Sequence, residues 1–172
     1  MAIAVYAGSF DPITNGHSDI IERTAPFWEK LIVAPGINAK KQHLFTIEER
    51  VKLAEEVCQG PKEGQTLQLR TRPRNVEVRP FTGLLVDFCR GVGATVIIRG
   101  LRATADFEQE MAIAHANRQL CPDIDTFFLP TLPQHSFVSS STVKEIAING
   151  GDVGYYVHPS VARALKEKFR GS

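Results

Sequence analysis

The chain has 172 residues, of which 43% are hydrophobic and 23% charged, and its formal net charge is +1. This length and composition predict one globular domain and argue against wholesale disorder, a coiled coil or a collagen-like repeat. The near-neutral charge gives no global attraction to nucleic acid or to anionic membranes, so any anion site has to be local.

Cysteine usage and hydropathy point to the cellular compartment. Cys58, Cys89 and Cys121 lie far apart and lack metal-finger spacing, which favours a reducing compartment and three thiols in the core. The apolar run at residues 2–7 has no basic flank, and no stretch approaches the ~20 apolar residues of a membrane span. We therefore expect a cytoplasmic protein with neither a membrane nor a nucleic-acid partner.

Strand and helix patterns alternate along the chain. The predicted elements are strand 3–7, helix 17–28, strand 31–34, helix 46–57, strand 76–79, helix 83–90, strand 94–98, helix 106–120, strand 126–129, helix 142–149 and helix 159–169. Pro26 is expected to kink or restart the first helix, and Thr46 with Glu49 forms a capping box. Thr82 can cap the helix that follows it.

Alternating strands and helices predict right-handed crossovers in a parallel sheet. The expected fold is therefore a single α/β domain over residues 1–172, with a Rossmann-like doubly wound sheet and C-terminal helices. Residues 61–74 are polar and rich in Gly, Pro and Arg, so they form a loop insertion in which 65–70 could add a strand. Ligands of such sheets bind beyond the carboxyl ends of the strands, where residues 8–9, 99–100 and 130–141 fall.

The first polar segment, GSFDPITNGH at residues 8–17, lies between a strand and a helix. Glycines let the backbone approach an anion and a helix N-terminus offers free N–H groups, so the segment can bind phosphate. His17 would add a donor in either charge state, and neighbouring phosphates would favour its protonated form. A simple Asx-Pro turn is the alternative. Neither GxxxxGK[ST] nor GxGxxG is present, which argues against P-loop kinases and ordinary dinucleotide dehydrogenases.

Two further segments carry candidate anion-binding groups. IRGLRATADFEQE at residues 98–110 places Arg99 and Arg102 at a strand-to-helix junction, where guanidinium groups can bind phosphate or pair with Asp106, Glu108 or Glu110 on the surface. HSFVSSST at residues 135–142 runs into a helix start. Its hydroxyls could hold a triphosphate, or Ser141 or Thr142 could be an ordinary N-cap.

Thr14, Gly16 and His17 match the [HT]xGH signature of the nucleotidyltransferase superfamily. GSFDPITNGH, IRGLRATADFEQEM and SFVSSSTVKE, in this order, resemble the bacterial phosphopantetheine adenylyltransferase family, and the resemblance extends over residues 3–169. It implies a transferase of coenzyme A biosynthesis that converts ATP and 4′-phosphopantetheine, with Mg²⁺, into dephospho-coenzyme A and pyrophosphate. It also implies a homohexamer.

The resemblance implies roles for individual residues. Ser9 and Phe10 would lie at the junction of the two substrates, and His17 would stabilise charge on the α-phosphate. An ungapped match selects Lys41 over Lys40 as the residue that binds the pantetheine phosphate and steers the transferring group. Leu85 would line the arm of the pantetheine substrate, and Arg99 would bind its phosphate. The residues that would contact ATP are Gly100, Leu101, Arg102, Glu110, His135, Ser136, Phe137, Val138, Ser139, Ser140 and Ser141.

Two alternatives stay open from the sequence. One is an adenylyl or cytidylyl transferase that acts on another phosphorylated acceptor, such as nicotinate mononucleotide or glycerol phosphate. The other is a non-catalytic nucleotide-binding module, because fold alone does not establish function. Residues 98–102 and 136–141 favour the pantetheine acceptor, since they belong to the resemblance described above.

Overall fold

The computed structural model describes residues 2–37, 42–59, 74–102 and 104–170. Its elements are β1 (Ile3–Gly8), α1 (Asn15–Thr24), β2 (Lys30–Ile37), α2 (Ile47–Cys58), β3 (Val76–Val78), β4 (Phe81–Thr82), α3 (Leu85–Gly91), β5 (Ala94–Leu101), α4 (Thr104–Leu120), β6 (Asp125–Pro130), α5 (Ser140–Ile148) and α6 (Pro159–Phe169). Lys40, Lys41, the predicted strand at 65–70 and most of the proposed insertion lie outside the described residues.

The strands form a parallel sheet in the order β3-β2-β1-β5-β6, and the short β4 also pairs with β2. β1 occupies the centre, where Tyr6 is level with Val33 of β2 and Ile98 of β5. Side chains alternate between the two faces: Ala4 and Tyr6 belong to one core cluster, and Val5 and Ala7 to the other. The predicted α/β fold with a Rossmann-like parallel sheet is confirmed.

Local signals placed several helix boundaries correctly. Thr46 and Glu49 form the predicted capping box: the Glu49 N–H donates to the Thr46 hydroxyl at 3.3 Å, and the Thr46 N–H donates to the Glu49 carboxylate at 2.8 Å. Helix α6 has the predicted bounds. The first helix is interrupted as expected at Pro26, since a short 3₁₀ turn over Ala25–Phe27 follows α1.

Two predicted helix caps are wrong. Thr82 belongs to β4, where it pairs with Ile37, and helix α3 begins three residues later without a side-chain cap. The cap of α5 is Ser139, whose hydroxyl accepts the Thr142 N–H at 3.0 Å, rather than Ser141 or Thr142. Strand β5 also continues beyond the predicted residue 98 to Leu101, because Arg99 and the two residues after it pair with β6.

The three cysteines are free thiols; Cys89 and Cys121 are buried, and Cys58 is partly buried. Burial raises the pKa of Cys58 and of Cys89 to about 12, so these two side chains act as apolar packing groups. None of the helices in the described part of the chain has the length and apolar content needed to cross a bilayer.

Candidate active site

A cavity of about 880 Å³ opens at the carboxyl ends of β1 and β5. Beyond these strand ends, its walls come from the first turns of α1 and α5, from the middle of α4 and from the residues that precede α2. The lining residues are Tyr6, Ala7, Gly8, Ser9, Phe10, Asp11, Thr14, Gly16, His17, Gln42, His43, Arg99, Gly100, Arg102, Gln109, Glu110, Ile113, Thr131, Val138, Ser139, Ser140, Ser141 and Lys144.

The cavity brings together most of the residues singled out from the sequence. Those that line it are Ser9, Phe10, His17, Arg99, Gly100, Arg102, Glu110, Val138, Ser139, Ser140 and Ser141. Leu85, Leu101, His135, Ser136 and Phe137 are not among the lining residues. Lys41 lies outside the described residues. The three polar segments of the sequence therefore converge on one cavity. In the third segment the serines at 139–141 line the cavity, whereas residues 135–137 do not.

The ring of Phe10 supports the site from beneath. Phe10 has a backbone φ of 45°, a left-handed conformation that costs of the order of 1–3 kcal/mol in a residue with a side chain. Its side chain is almost fully buried, and the ring centroid lies 5.0 Å from that of His17 and 5.4 Å from that of Tyr6. The strained backbone thus directs the ring under His17, and this burial leaves little of the ring available for the ATP contact expected from the sequence.

Arg50 of α2 fixes the loop between β1 and α1 from behind. This side chain is 2% exposed, and its Nη1 donates to the carbonyl of Ser9 at 2.7 Å and to that of Gly36 at 2.9 Å. Both bonds come from Nη1, while the buried Nε has no hydrogen-bond partner among the residues that the structure describes, and together they hold the ends of β1 and β2 to a common anchor.

His17 is held as a neutral donor. Its Nδ1 accepts the Thr14 N–H at 3.0 Å and lies 2.9 Å from the Thr14 hydroxyl, so the proton of the neutral ring is on Nε2. Burial, together with the charges of Arg102 and Arg99, lowers the pKa of His17 to about 3. The expectation that phosphates would favour a protonated His17 is therefore opposed by the ring's own surroundings.

Arg99 is paired within the protein. Its Nε and Nη2 donate to the two oxygens of Glu110 at 2.6 and 2.5 Å, and its Nη1 donates to the Ala7 carbonyl at 2.6 Å. Burial lowers the pKa of Arg99, but the bond and charge of Glu110 outweigh this and leave the pKa above its ordinary value. The pairing with Glu110 that the sequence allowed is present, although the pair lines the cavity instead of the outer surface.

Sequence reasoning missed Asp11 and Lys144 as residues of this site. The Nζ of Lys144 on α5 lies 2.9 Å from Asp11 Oδ2, and the same carboxylate accepts the N–H groups of Leu44 and Phe45. Burial raises the pKa of Asp11, but these two N–H groups and Lys144 hold it below its ordinary value. The sequence signal for this contact is the aspartate within the segment at residues 8–17, a residue type that is also common in turns.

Tyr6 of the cavity is neutral, and the cavity's carboxylates are already paired with basic side chains. Burial raises the pKa of the Tyr6 phenol, so that it stays a neutral donor. Within the described ranges, no three His, Cys, Asp or Glu side chains meet as a metal site. The lining carboxylates of Asp11 and Glu110 already bind Lys144 and Arg99. A resident Mg²⁺ therefore does not fit these residues, whereas Mg²⁺ carried on the phosphates of a nucleotide needs few protein ligands.

Comparison with protein families gives one match that spans most of the chain. Residues 5–146 match the family model described as Cytidylyltransferase-like. The match begins within β1 and ends within α5, so it includes all of the segments that line the cavity.

Solved structures share the fold at low sequence identity. A protein named as a nicotinate-nucleotide adenylyltransferase from Vibrio parahaemolyticus has a TM-score of 0.69 at 16% identity, with 99% of this chain and 96% of that chain covered. The nicotinic acid mononucleotide adenylyltransferase of Plasmodium falciparum complexed with NaAD gives 0.68 at 13%, with 97% and 95% covered. A bifunctional NMN adenylyltransferase/ADP ribose pyrophosphatase from Francisella tularensis gives 0.69 at 16%, and this chain spans 49% of its length.

Proposed function

The chain belongs to the cytidylyltransferase-like family of nucleotidyltransferases, and from this premise we propose that it transfers the adenylyl group of ATP to 4′-phosphopantetheine. The products are dephospho-coenzyme A and pyrophosphate. One observation carries the proposal: the three segments on which the pantetheine resemblance rests, at residues 8–17, 98–110 and 136–141, contribute side chains to one cavity. The cytoplasmic location and the hexamer stay predictions.

The reaction needs alignment and charge stabilisation more than a protein nucleophile. A phosphate oxygen of 4′-phosphopantetheine attacks the α-phosphorus of ATP, and the bond from that phosphorus to the pyrophosphate oxygen breaks. The nucleophile is already ionised, so no Ser or Cys has to attack and no base has to remove a proton. The protein's task is to hold both phosphates in line and to stabilise the charge that develops.

His17 is assigned to the α-phosphate. Because Nδ1 is occupied by Thr14, the remaining donor is Nε2–H, which can bond to a nonbridging oxygen as negative charge grows there. A neutral donor binds the ground state less strongly than a cation would, so its contribution is concentrated in the transition state. Ser9 and the N-terminal turn of α1 would supply further donors, and Lys41 would steer the transferring group.

The arginines of the β5 end are assigned to the phosphates on either side. Arg99 would bind the pantetheine phosphate with the N–H groups that its bonds to Glu110 and Ala7 leave available, while Gly100 and Arg102 would contact ATP. Ser139, Ser140 and Ser141 at the start of α5 would hold the triphosphate. Magnesium enters with the substrate as MgATP, whose phosphates carry most of its ligands.

A second candidate acceptor is nicotinate mononucleotide. It is favoured by one observation, the names of the structural neighbours, which describe adenylyltransferases acting on nicotinate or nicotinamide nucleotides. Both candidates share the chemistry at the α-phosphorus and differ in what lies beyond the acceptor phosphate.

Pyrophosphate release from MgATP tests the proposal. Purified protein is assayed with 4′-phosphopantetheine, with nicotinate mononucleotide and without acceptor, each with wild type and His17→Ala. We expect release that requires both 4′-phosphopantetheine and His17. Release only with nicotinate mononucleotide would replace the acceptor, and ATP binding without release from any acceptor would support a non-catalytic module.

A further inference from the structure

We propose that Asp11 is a positioning residue of the nucleotide site, whose carboxylate ties the cavity wall preceding α2 to the wall formed by α5. This inference rests on the proposed function only in treating the cavity as the site of MgATP. It does not depend on which acceptor is used.

The first of the two ties runs to the entrance of α2. The N–H of Leu44 donates to Asp11 Oδ2 at 3.0 Å and that of Phe45 donates to Oδ1 at 2.9 Å. Gln42 and His43, directly before them, line the cavity, and His43 Nδ1 lies 3.6 Å from Asp11 Oδ2. Two bonds to consecutive backbone groups fix both the position and the orientation of this wall.

The second tie runs to α5. Lys144 donates to Asp11 Oδ2 at 2.9 Å, and Ser140 of the same helix donates to the Pro12 carbonyl at 2.8 Å. Both contacts hold the first turns of α5 against the loop that follows β1. The wall that carries Ser139, Ser140 and Ser141 is thereby set relative to the opposite wall through one carboxylate.

Burial makes this arrangement sensitive to Asp11. The residue is 3% exposed, and an ionised carboxylate at that depth is stable only while its charge is matched by hydrogen bonds and a cation. Because both oxygens are engaged by donors, Asp11 is not a proton acceptor for the reaction. Loss of its charge would leave two N–H groups and Lys144 poorly matched, so that both walls would shift at once.

A double-mutant cycle on the MgATP dissociation constant tests the link. Asp11→Asn, Lys144→Met and the double variant are compared with wild type by calorimetry, with Glu77→Gln as the control. Glu77 is also a carboxylate paired with basic side chains, those of Lys30 and Arg79, but it lies on β3 and does not line the cavity. If the two residues act as one unit, each single change raises the dissociation constant by about 10-fold and the double variant by little more.

The distribution of the loss separates positioning from general damage. Asp11→Asn should weaken MgATP binding and lower kcat, whereas Glu77→Gln should leave both unchanged. An unchanged MgATP affinity in Asp11→Asn, or an equal loss in Glu77→Gln, would overturn the proposal. So would single effects that multiply in the double variant, since Lys144 would then reach ATP independently of Asp11.

Amide exchange keeps the test decisive if Asp11→Asn fails to fold. Lys144→Met should speed hydrogen exchange at the N–H groups of Leu44 and Phe45 by about threefold, although their bonds run to Asp11 and not to Lys144. Unchanged exchange would disprove the tie. Wild type that binds MgATP but transfers to no acceptor would refute the proposed function alone, and wild type that binds no MgATP would refute both proposals.

Discussion

The two strand ends that meet in the cavity supply different kinds of donor. The β1 end leads to His17, whose neutral ring has one directional N–H available. The β5 end carries Arg99 and Arg102, whose charge is permanent at any physiological pH. The two ends are also coupled, because the arginine charges help to keep His17 neutral. Burial therefore keeps His17 neutral and the permanent charges on the other side add to that effect, so a phosphate bound between the two ends would meet both a constant positive charge and a separate, directional donor.

Removal of the neutral donor has the largest expected effect. His17→Ala should lower kcat by about 10³-fold, because the lost bond stabilises charge that develops only in the transition state. The dissociation constants of ATP and acceptor should change less than about threefold, measured by calorimetry beside steady-state rates. His115→Ala, on the exposed face of α4, is the control. Near-normal turnover would remove His17 from the mechanism.

Removal of the permanent charge should act on binding instead. Arg99→Ala should raise the KM of the acceptor by about 100-fold and that of ATP by less than about fivefold, since Arg99 is assigned to the acceptor phosphate. Arg118→Ala breaks the exposed pair with Asp125 and serves as the matched control. If both substrates lose affinity equally, the division of roles between the two strand ends is wrong.

The coupling also predicts how stability depends on pH. The pKa of His17 is about 3 in the folded protein and near 6.5 in the unfolded chain, so between these values only the unfolded state binds the proton. Acidification below pH 6.5 therefore lowers the free energy of unfolding. Above that pH the ring is neutral in both states, and the stability is fully present. Relative to His17→Asn, wild type should lose on the order of 2 kcal/mol more unfolding free energy between pH 6.5 and 4.5. If wild type and His17→Asn lost the same unfolding free energy over this pH range, the ring would not be neutral in the folded protein.

The smallest expected effect isolates the coupling itself. Arg102→Gln removes the charge that has the larger effect of the two on His17, so the pKa of that ring should move upward while burial keeps it below its ordinary value. Titration of the ring signals by NMR measures the change. His158 is the internal reference, because burial and Arg163 lower its pKa and Arg102 is not among the causes. An unchanged pKa of His17 would show that the charge of Arg102 does not contribute to it.

The sequence predicts what is local. The reciprocal bonds of Thr46 and Glu49 need only the three-residue spacing of a capping box, and α6 is bounded by its own residues. Each of the consecutive serines at 139–141, however, could be the N-cap of α5. The choice of Ser139 depends on where α5 meets the loop after β1. Thr82 does not cap α3 because it pairs with Ile37 of β2, and no local pattern in the sequence shows that contact.

The same limit applies to the site. Arg99 and Glu110 are eleven residues apart on adjoining elements, so their pairing could be weighed from the sequence as one alternative. Asp11 and Lys144 are separated by 133 residues and meet only because β1 and α5 are brought together by the sheet. Aspartate and lysine are also common on surfaces, so neither residue type marks a buried pair. The direction of the His17 pKa depends on burial and on two distant guanidinium groups, which the sequence does not display.

The central position of β1 governs when this protein can begin to work during its synthesis. Tyr6 of β1 pairs across the sheet with both Val33 and Ile98, and the cavity takes its last wall from residues 138–144. Chains emerge from the ribosome N-terminal end first, so β1 and β2 can associate early while the partner strand β5 has not yet been made. A nascent chain therefore carries the loop that follows β1 long before the cavity that we propose as the nucleotide site is complete. Because the cavity needs both ends of this span, we expect truncated products not to bind ATP.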